Sequence, residues 1–268
     1  MAFVLVLFVF FGGGAFSSQQ KTLISIGAGE IPLFSEKLFY DISVFGFEKV
    51  AKAEFSLHKD GQGHFVVILN AWTEGIAAKI SGHRRQTYQT LMEFGPEGRF
   101  RPLRFEQTMS KKEGAGVKVR VKRYDFDHDR KRVRYQRIKN GKAGNPAFIS
   151  IGKDSQVVDF LTGFVNYRLG FYGYPQPGQP IVLATLARGG SSAIRIEAVS
   201  SAQVEKKGFF ENCSRLSKVV LDPEVFDTGG GDVFVCLDDA DRPLRGAVEN
   251  VLGMGDVRGR LIPEGDGK

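Results

Sequence analysis

The chain has 268 residues, 42% hydrophobic and 25% charged, with a formal net charge of +7 at neutral pH. That apolar content excludes a disordered chain and suffices for one large β domain or two small ones with a core of ordinary size. Two cysteines, Cys213 and Cys236, are the whole complement, which excludes a disulfide-built scaffold and a zinc ribbon.

The first seventeen residues are an apolar run, Ala2–Phe11, followed by Gly12-Gly13-Gly14 and the small-x-small triplet Ala15-Phe16-Ser17. The run is short for a bilayer span and reads as a secretory signal peptide cleaved after Ser17. It lacks the usual Lys or Arg at its start, and a retained N-terminal anchor is the alternative. Either way the remainder is expected to work outside the cytoplasm, in the periplasm. No cysteine lies near the cleavage point, which speaks against the lipoprotein route. Residues 18–33 form a polar, glycine-containing lead-in without periodicity and are expected to be a flexible arm.

From there the pattern is β. Glu36–Phe45, Glu48–His58, His64–Glu74, Ala77–Gly82 and Arg85–Phe94 are rich in aromatic and β-branched residues and are broken by Gly46, Asp60-Gly61, Gly75 and Gly95-Pro96, as in an antiparallel meander. Leu103–Met109, Gly116–Tyr124 and Arg132–Ile138 continue it. Between Lys111 and Lys142 there are thirteen Lys/Arg against four acids, so the rest of the chain is slightly acidic. Strict alternation places Val117, Val119 and Val121 on one face and Lys118, Arg120 and Lys122 on the other. The expectation is one exposed anion-binding stripe, Lys118, Arg120, Lys122, Arg132 and Arg134, with Val133 and Tyr135 turned to the core. An exported protein seldom meets nucleic acid and the stripe has no interleaved aromatics, so anionic headgroups or lipopolysaccharide phosphates are the expected partners and peripheral membrane contact follows.

After Asp154 or Ser155 as N-cap, Val157, Val158, Phe160, Leu161, Phe164, Val165 and Leu169 recur at helical spacing and predict one helix ending near Gly170. Strands are expected again at Pro180–Leu186, Ala193–Val204, Phe209–Leu221, Asp232–Leu237, Leu244–Leu252 and Gly255–Leu261. Cys213 and Cys236 then fall on neighbouring strands around the turn-rich Asp222–Asp232 segment. They either form a disulfide or stand as two buried free thiols. With no repeat at fixed period and no long linker, residues 34–263 read as one domain.

The search for chemistry leaves little. Asp125-Phe-Asp127-His-Asp129 opens like a calcium loop, but Arg130 stands where glycine is needed and Gln136 where the bidentate Glu belongs, so a polar hairpin turn is the reading. The four histidines have no zinc spacing, and Gly229-Gly230-Gly231 precedes a strand, not a helix N-terminus. No cofactor, metal or catalytic set is implied, and the chain is expected not to be an enzyme.

The order of landmarks resembles the bacterial family catalogued as domain of unknown function 3108. They are Ser35-Glu36-Lys37-Leu38-Phe39-Tyr40-Asp41-Ile42 with Gly46, and Gly98-Arg99-Phe100-Arg101-Pro102-Leu103-Arg104-Phe105-Glu106-Gln107. Tyr124-Asp125-Phe126-Asp127, the helix beginning at Asp154-Ser155 or at Asp159 and ending in Tyr167-Arg168, Pro177-Gly178, Phe234-Val235-Cys236-Leu237-Asp238-Asp239, Arg242-Pro243-Leu244-Arg245 and Gly255-Asp256-Val257 follow. Cys236 stands where relatives tend to carry tryptophan, and the basic hairpin is heavy for the family. The resemblance implies an exported envelope protein with a strongly curved antiparallel sheet, a half-barrel in which one helix covers an apolar concavity. The combined expectation is an all-β, non-enzymatic periplasmic protein holding a lipid or acyl chain in an apolar groove under Val157, Phe160, Leu161 and Phe164. The alternative is a structural or assembly factor acting through envelope proteins or polysaccharide, with no ligand cavity.

Overall fold

The computed structural model describes residues 22–26, 29–33, 35–152, 155–187, 190–200, 203, 208–211, 213–221, 232–251 and 255–262. The expected signal peptide 1–17, the candidate cap Asp154 and the turn segment 222–231 lie outside these residues.

A two-stranded ribbon, β1 (Thr22–Ile26) and β2 (Gly29–Leu33), precedes the main sheet; the stretch expected to be a flexible arm is paired antiparallel. The main sheet takes β3 (Glu36–Val44), β4 (Phe47–Lys59), β5 (Phe65–Thr73), β6 (Arg85–Phe94), β7 (Phe100–Glu113), β8 (Gly116–Asp127), β9 (Arg132–Lys139), β10 (Lys142–Ala143), β11 (Ala147–Ser150), β12 (Ile181–Ala187), β13 (Gly190–Ala198), β14 (Arg215–Leu221), β15 (Asp232–Leu237), β16 (Pro243–Glu249) and β17 (Val257–Leu261). The fold is all-β and mainly antiparallel: one curved fifteen-stranded sheet ordered 10-9-8-7-6-5-4-3-17-16-15-14-13-12, with β11 beside β9. The C-terminal β17 pairs with β3 and joins the two halves of the chain.

Alternation along each strand gives the sheet a concave apolar face, with Tyr40, Phe55, Leu69, Tyr88, Met92, Val235 and Leu237 buried on it. The β3–β4, β5–β6, β7–β8 and β9–β10 connections all emerge at one end, called the upper end below. At the first of these Phe45 and Gly46 both have positive φ (53° and 84°), the geometry of a two-residue turn that matches strand twist.

Among the described residues two named α-helices are present, not one. α1 (Gly75–Ser81) occupies the stretch expected as the strand Ala77–Gly82. Gly-Ile-Ala-Ala-Lys-Ile-Ser lacks strand alternation and carries the helix-favouring alanines. Gly82 then ends the helix at φ 72°. A Cβ there would sit 2.6 Å from the Lys112 carbonyl oxygen, so glycine also permits the backbone bond that Lys112 N–H donates to Gly82 O.

α2 (Phe160–Arg168) is shorter than the periodicity predicts and is capped by Asp159, the second of the two starts that the landmarks allow and not the Asp154 or Ser155 of the periodicity. Val157, expected on it, lies in an extended segment that bridges in parallel to Ala184. Ile151 and Ser155–Asp159 are spent on edge closure: Val158 N–H donates to Ala184 O, Thr185 Oγ1 donates to Val158 O, and Ile151 N–H donates to Lys131 O. Val133, Ile151 and Val157 pack together in the gap between β9 and β12.

α2 lies in the lower half of the concavity and is buried on all sides. Phe164 meets Phe55 edge-on at 5.9 Å, and Phe160 meets Tyr88 at 5.0 Å and Phe105 at 5.5 Å. Gly163 permits close approach to Leu183. Asn166 substitutes for a strand neighbour, accepting from Phe100 N–H at 2.9 Å and donating to Phe100 O at 2.8 Å. At the C-terminal end the Arg168 guanidinium, buried, pairs with the buried Glu36 carboxylate and donates from Nε to Asp241 O.

The Asp159 carboxylate accepts from the backbone N–H groups of Leu161 and Thr162, from Thr162 Oγ1 at 2.6 Å and from Thr90 Oγ1 at 2.7 Å. Burial raises its pKa, and the hydrogen bonds from Thr162 and Thr90 only partly offset this. Asp159→Ala strands four buried donors and is expected to cost about 3 kcal/mol by urea unfolding, whereas Asp159→Asn, which keeps a capping oxygen, costs about 1 kcal/mol. Because the native pKa is raised, stabilisation by this carboxyl is complete below about pH 3.9, the unfolded value, and is lost as pH rises through the native one. The stability margin of wild type over Asp159→Asn should therefore shrink with rising pH across that window; a margin independent of pH would contradict the burial.

On the convex side Phe210, Leu216, Phe234, Cys236 and Ala247 form a second small core. It is closed by a 3-10 turn, Gly208–Phe210, and by a disulfide between Cys213 and Cys236, 23 residues apart in sequence with Cα atoms 5.5 Å apart. Closing a loop of that length stabilises the fold by about 3 kcal/mol on the chain-entropy model. Denaturant unfolding of Cys213→Ser/Cys236→Ser should show that loss, and reductant should then have no further effect.

Candidate functional site

The densest charge on the sheet is carried by β7, β8 and β9, and the hydrogen-bond register decides which way it faces. In β8 the alternation runs Lys118, Arg120, Lys122, Tyr124, Phe126 on one face. The β8–β9 register pairs Tyr124 with Tyr135, Lys122 with Arg137, Arg120 with Lys139 and Phe126 with Val133. Val133 is buried and Tyr124 packs against Phe105 in the core. This face is therefore the concave one, and Lys118, Arg120 and Lys122 lie on it with Arg137 and Lys139. The β7 partners Gln107 and Met109 complete the wall.

The single stripe expected from the sequence does not form. Asp127 pairs with Arg132 and Asp125 with Arg134, so those two arginines are on the convex face with Val117, Val119 and Val121, the residues expected to point inward. Val133 and Tyr135 do face the concavity, but beside the β8 cations and not opposite them. On the convex side the charges are matched. Asp125 meets Arg104 at 2.6 Å and Arg134 at 3.3 Å, Asp127 meets Arg132 at 3.2 Å, and Glu106 pairs with Arg123. The Arg130 backbone N–H and then the Arg132 side chain hold the Asp127 carboxyl below its ordinary range. Asp125 and Asp127 thus serve ion pairs and the 128–131 turn. Among the described residues no three His, Cys, Asp or Glu side chains converge as metal ligands would.

On the concave side the cations oppose one another. Arg120 faces Lys139 and Lys122 faces Arg137 across the ladder, like charges whose cross-strand pairing is unfavourable. At the upper rim Glu113 accepts from Lys118 at 2.7 Å and pairs with Lys111 at 3.3 Å, and these bonds lower its pKa. Against β7, β8 and β9 lies a cavity of about 360 Å³ lined by Met109, Arg120, Lys122, Tyr124, Tyr135 and Arg137. Just beyond it the concave face carries a buried polar layer. Gln86 Nε2 donates to the Tyr88 hydroxyl at 2.6 Å and Gln107 Nε2 at 3.3 Å, while Gln86 Oε1 has no partner among the described residues. The Thr90–Asp159 bond and α2 come next.

The apolar half behaves differently. Phe160, Leu161 and Phe164 are buried in the sheet as core. The space left between α2 and strands β12–β15, bounded by Phe164, Leu183, Ile196, Val219 and Val235, amounts to about 50 Å³. The groove expected to be covered by the helix is filled by it.

Arg137, Lys139, Gln107 and Met109 were not legible as site residues. A signal existed: continuing the Lys118-Arg120-Lys122 alternation two steps reaches Tyr124 and Phe126, aromatics that belong in a core, so the cations preceding them had to share that face.

No family model matches the chain, and no curated protein matches it. Among solved structures it is similar to a beta-barrel-like protein of domain of unknown function DUF1849 from Brucella abortus, at 10% sequence identity over 85% of this chain and 95% of that one, with a TM-score of 0.46.

The two faces respond oppositely to charge reversal. Arg120→Glu replaces a repulsive cross-strand pair by an attractive one and is expected to stabilise by about 0.5 kcal/mol, whereas Arg134→Glu sets a carboxylate against Asp125 and destabilises by about as much. Urea midpoints that move in the same direction for both would refute the face assignment.

Proposed function

We propose that the chain is a non-enzymatic binding domain that takes an anionic amphiphile in the basic upper half of its concave face. The observation that carries this is the cavity of about 360 Å³, a volume within the roughly 300–1,000 Å³ of small-ligand sites, in which four cations stand over an aromatic and thioether wall. A phosphate headgroup would be drawn to the positive charge of Arg120, Lys122, Arg137 and Lys139, and the first part of an apolar tail would lie along Tyr124, Tyr135 and Met109. The space beside α2, about 50 Å³, is too small to receive an acyl chain, so this reading moves the ligand from the apolar groove to the charged mouth. Periplasmic residence is part of the proposal. It is supported by the apolar run 1–17, by the Cys213–Cys236 disulfide, which persists in oxidising compartments, and by the landmarks resembling the 3108 family.

Short-chain phosphatidylglycerol, titrated calorimetrically below its micellar concentration, tests the reading. Arg120→Glu/Arg137→Glu should weaken binding at least tenfold, Arg132→Glu/Arg134→Glu should leave it within twofold, and added salt should weaken it. Equal losses in both variants, or no binding by wild type, would overturn the cavity as the site and return the assembly-factor reading to first place.

A further inference from the structure

Eight large apolar side chains are exposed among the described residues, and four of them, Phe47, Ile76, Ile80 and Val117, sit at the upper end of the sheet. Phe47 opens β4 beside the β3–β4 turn, Ile76 and Ile80 lie on α1, and Val117 follows the β7–β8 turn. Ile76 and Ile80 are 76% and 67% exposed and, at i and i+4, share one face of the helix, while Ala78 between them is buried against the sheet. α1 is fixed in place. Glu74 N–H donates to Val50 O, the Thr73 and Ser81 hydroxyls bond at 2.9 Å, and Lys112 N–H donates to Gly82 O. That last bond sets α1 beside the β7–β8 tip, where Lys112 pairs in register with Val117. The apolar side chains are thus held rigidly outward, with Lys79, Lys112 and Lys142 exposed at the same end.

We infer that the upper end docks on the surface of an anionic phospholipid bilayer. Ile76, Ile80, Phe47 and Val117 enter the headgroup–acyl boundary, and the surrounding lysines meet lipid phosphates. Two features select a bilayer over a protein partner. The apolar points are interspersed with exposed charges in which lysines, Lys49, Lys79, Lys112 and Lys142, outnumber the acids Glu48 and Glu113, as in interfacial elements that combine apolar insertion with attraction to anionic lipid. The basic cavity also lies in the upper half of the concavity, so docking sets its mouth toward lipid headgroups. The inference stands on exposed side chains that the cavity does not use, and goes beyond the ligand reading.

Co-sedimentation of the chain, with the same N-terminus in every variant, with vesicles of phosphatidylglycerol and phosphatidylcholine decides it. Wild type should bind phosphatidylglycerol vesicles at least tenfold more tightly than pure phosphatidylcholine. Ile76→Asn/Ile80→Asn and Lys79→Glu/Lys112→Glu should each weaken vesicle binding at least tenfold, with melting temperatures near wild type. Val182→Asn, an exposed apolar site on edge strand β12, should bind as wild type does. Short-chain phosphatidylglycerol affinity should be unchanged in the Ile76→Asn/Ile80→Asn protein. If that affinity is absent throughout while the vesicle effects hold, docking stands and the cavity reading falls. Wild-type vesicle binding by the α1 variants, or equal binding to both lipids, overturns docking.

Discussion

The placement of α2 inside the curved sheet is the constraint from which the rest of the structure follows. A nine-residue helix gains little from its own hydrogen bonds; it is held because the sheet meets it at both ends with buried charge. Asp159 accepts four hydrogen bonds at the N-terminus, and Arg168 is neutralised by Glu36 and bonded to Asp241 O at the C-terminus. Neither charge would be tolerated in that interior without its partners. Together they fix the helix axially, since a shift of one turn would strand both. A helix pinned this low fills one half of the concavity and leaves the other to whatever β7, β8 and β9 present.

What those strands present cannot collapse. An apolar concavity of that size would close by shifting strands and side chains, as protein interiors do. Four cations in facing pairs resist closure, because approach raises their repulsion and strips the water that solvates them. The polar layer of Gln86, Tyr88, Gln107 and Thr90 grades the transition from the apolar core around α2 to the charged half above it. The same sheet in this way bounds a packed core in one half and a charged cavity in the other, with no change of backbone architecture between them.

The fold class was legible because strand alternation and turn residues are local signals. Gly46, Asp60-Gly61 and Gly95-Pro96 each fall at a connection that the structure contains. The short α1 was not, since seven residues carry less than two turns of periodicity and Gly75 and Gly82 punctuate a strand as plausibly as a helix. The start of α2 was misplaced for a related reason. Val157 and Val158 fit a helical period, but their segment gains more by bonding to β12, a tertiary contact that no local pattern reveals.

The charged site failed at one step, the parity of a turn. Alternation fixes which residues of a strand share a face; it does not say which face of the next strand joins them, and one residue of register exchanges the two sets. With Asp127 opposite Arg132, odd positions of β8 align with even positions of β9, so Arg132 and Arg134 part from Lys118, Arg120 and Lys122. The acids show why this register holds. It sets Asp125 opposite Arg134 and Asp127 opposite Arg132, joins Phe126 to Val133 and Tyr124 to Tyr135, and leaves Arg120, Lys122, Arg137 and Lys139 where the wall bounds a cavity. A slip of one residue would turn Val133 outward and separate both carboxylates from their arginines. Ion pairing and aromatic burial therefore choose the register together, and the concentration of positive charge on the concave side is what remains once both have been met.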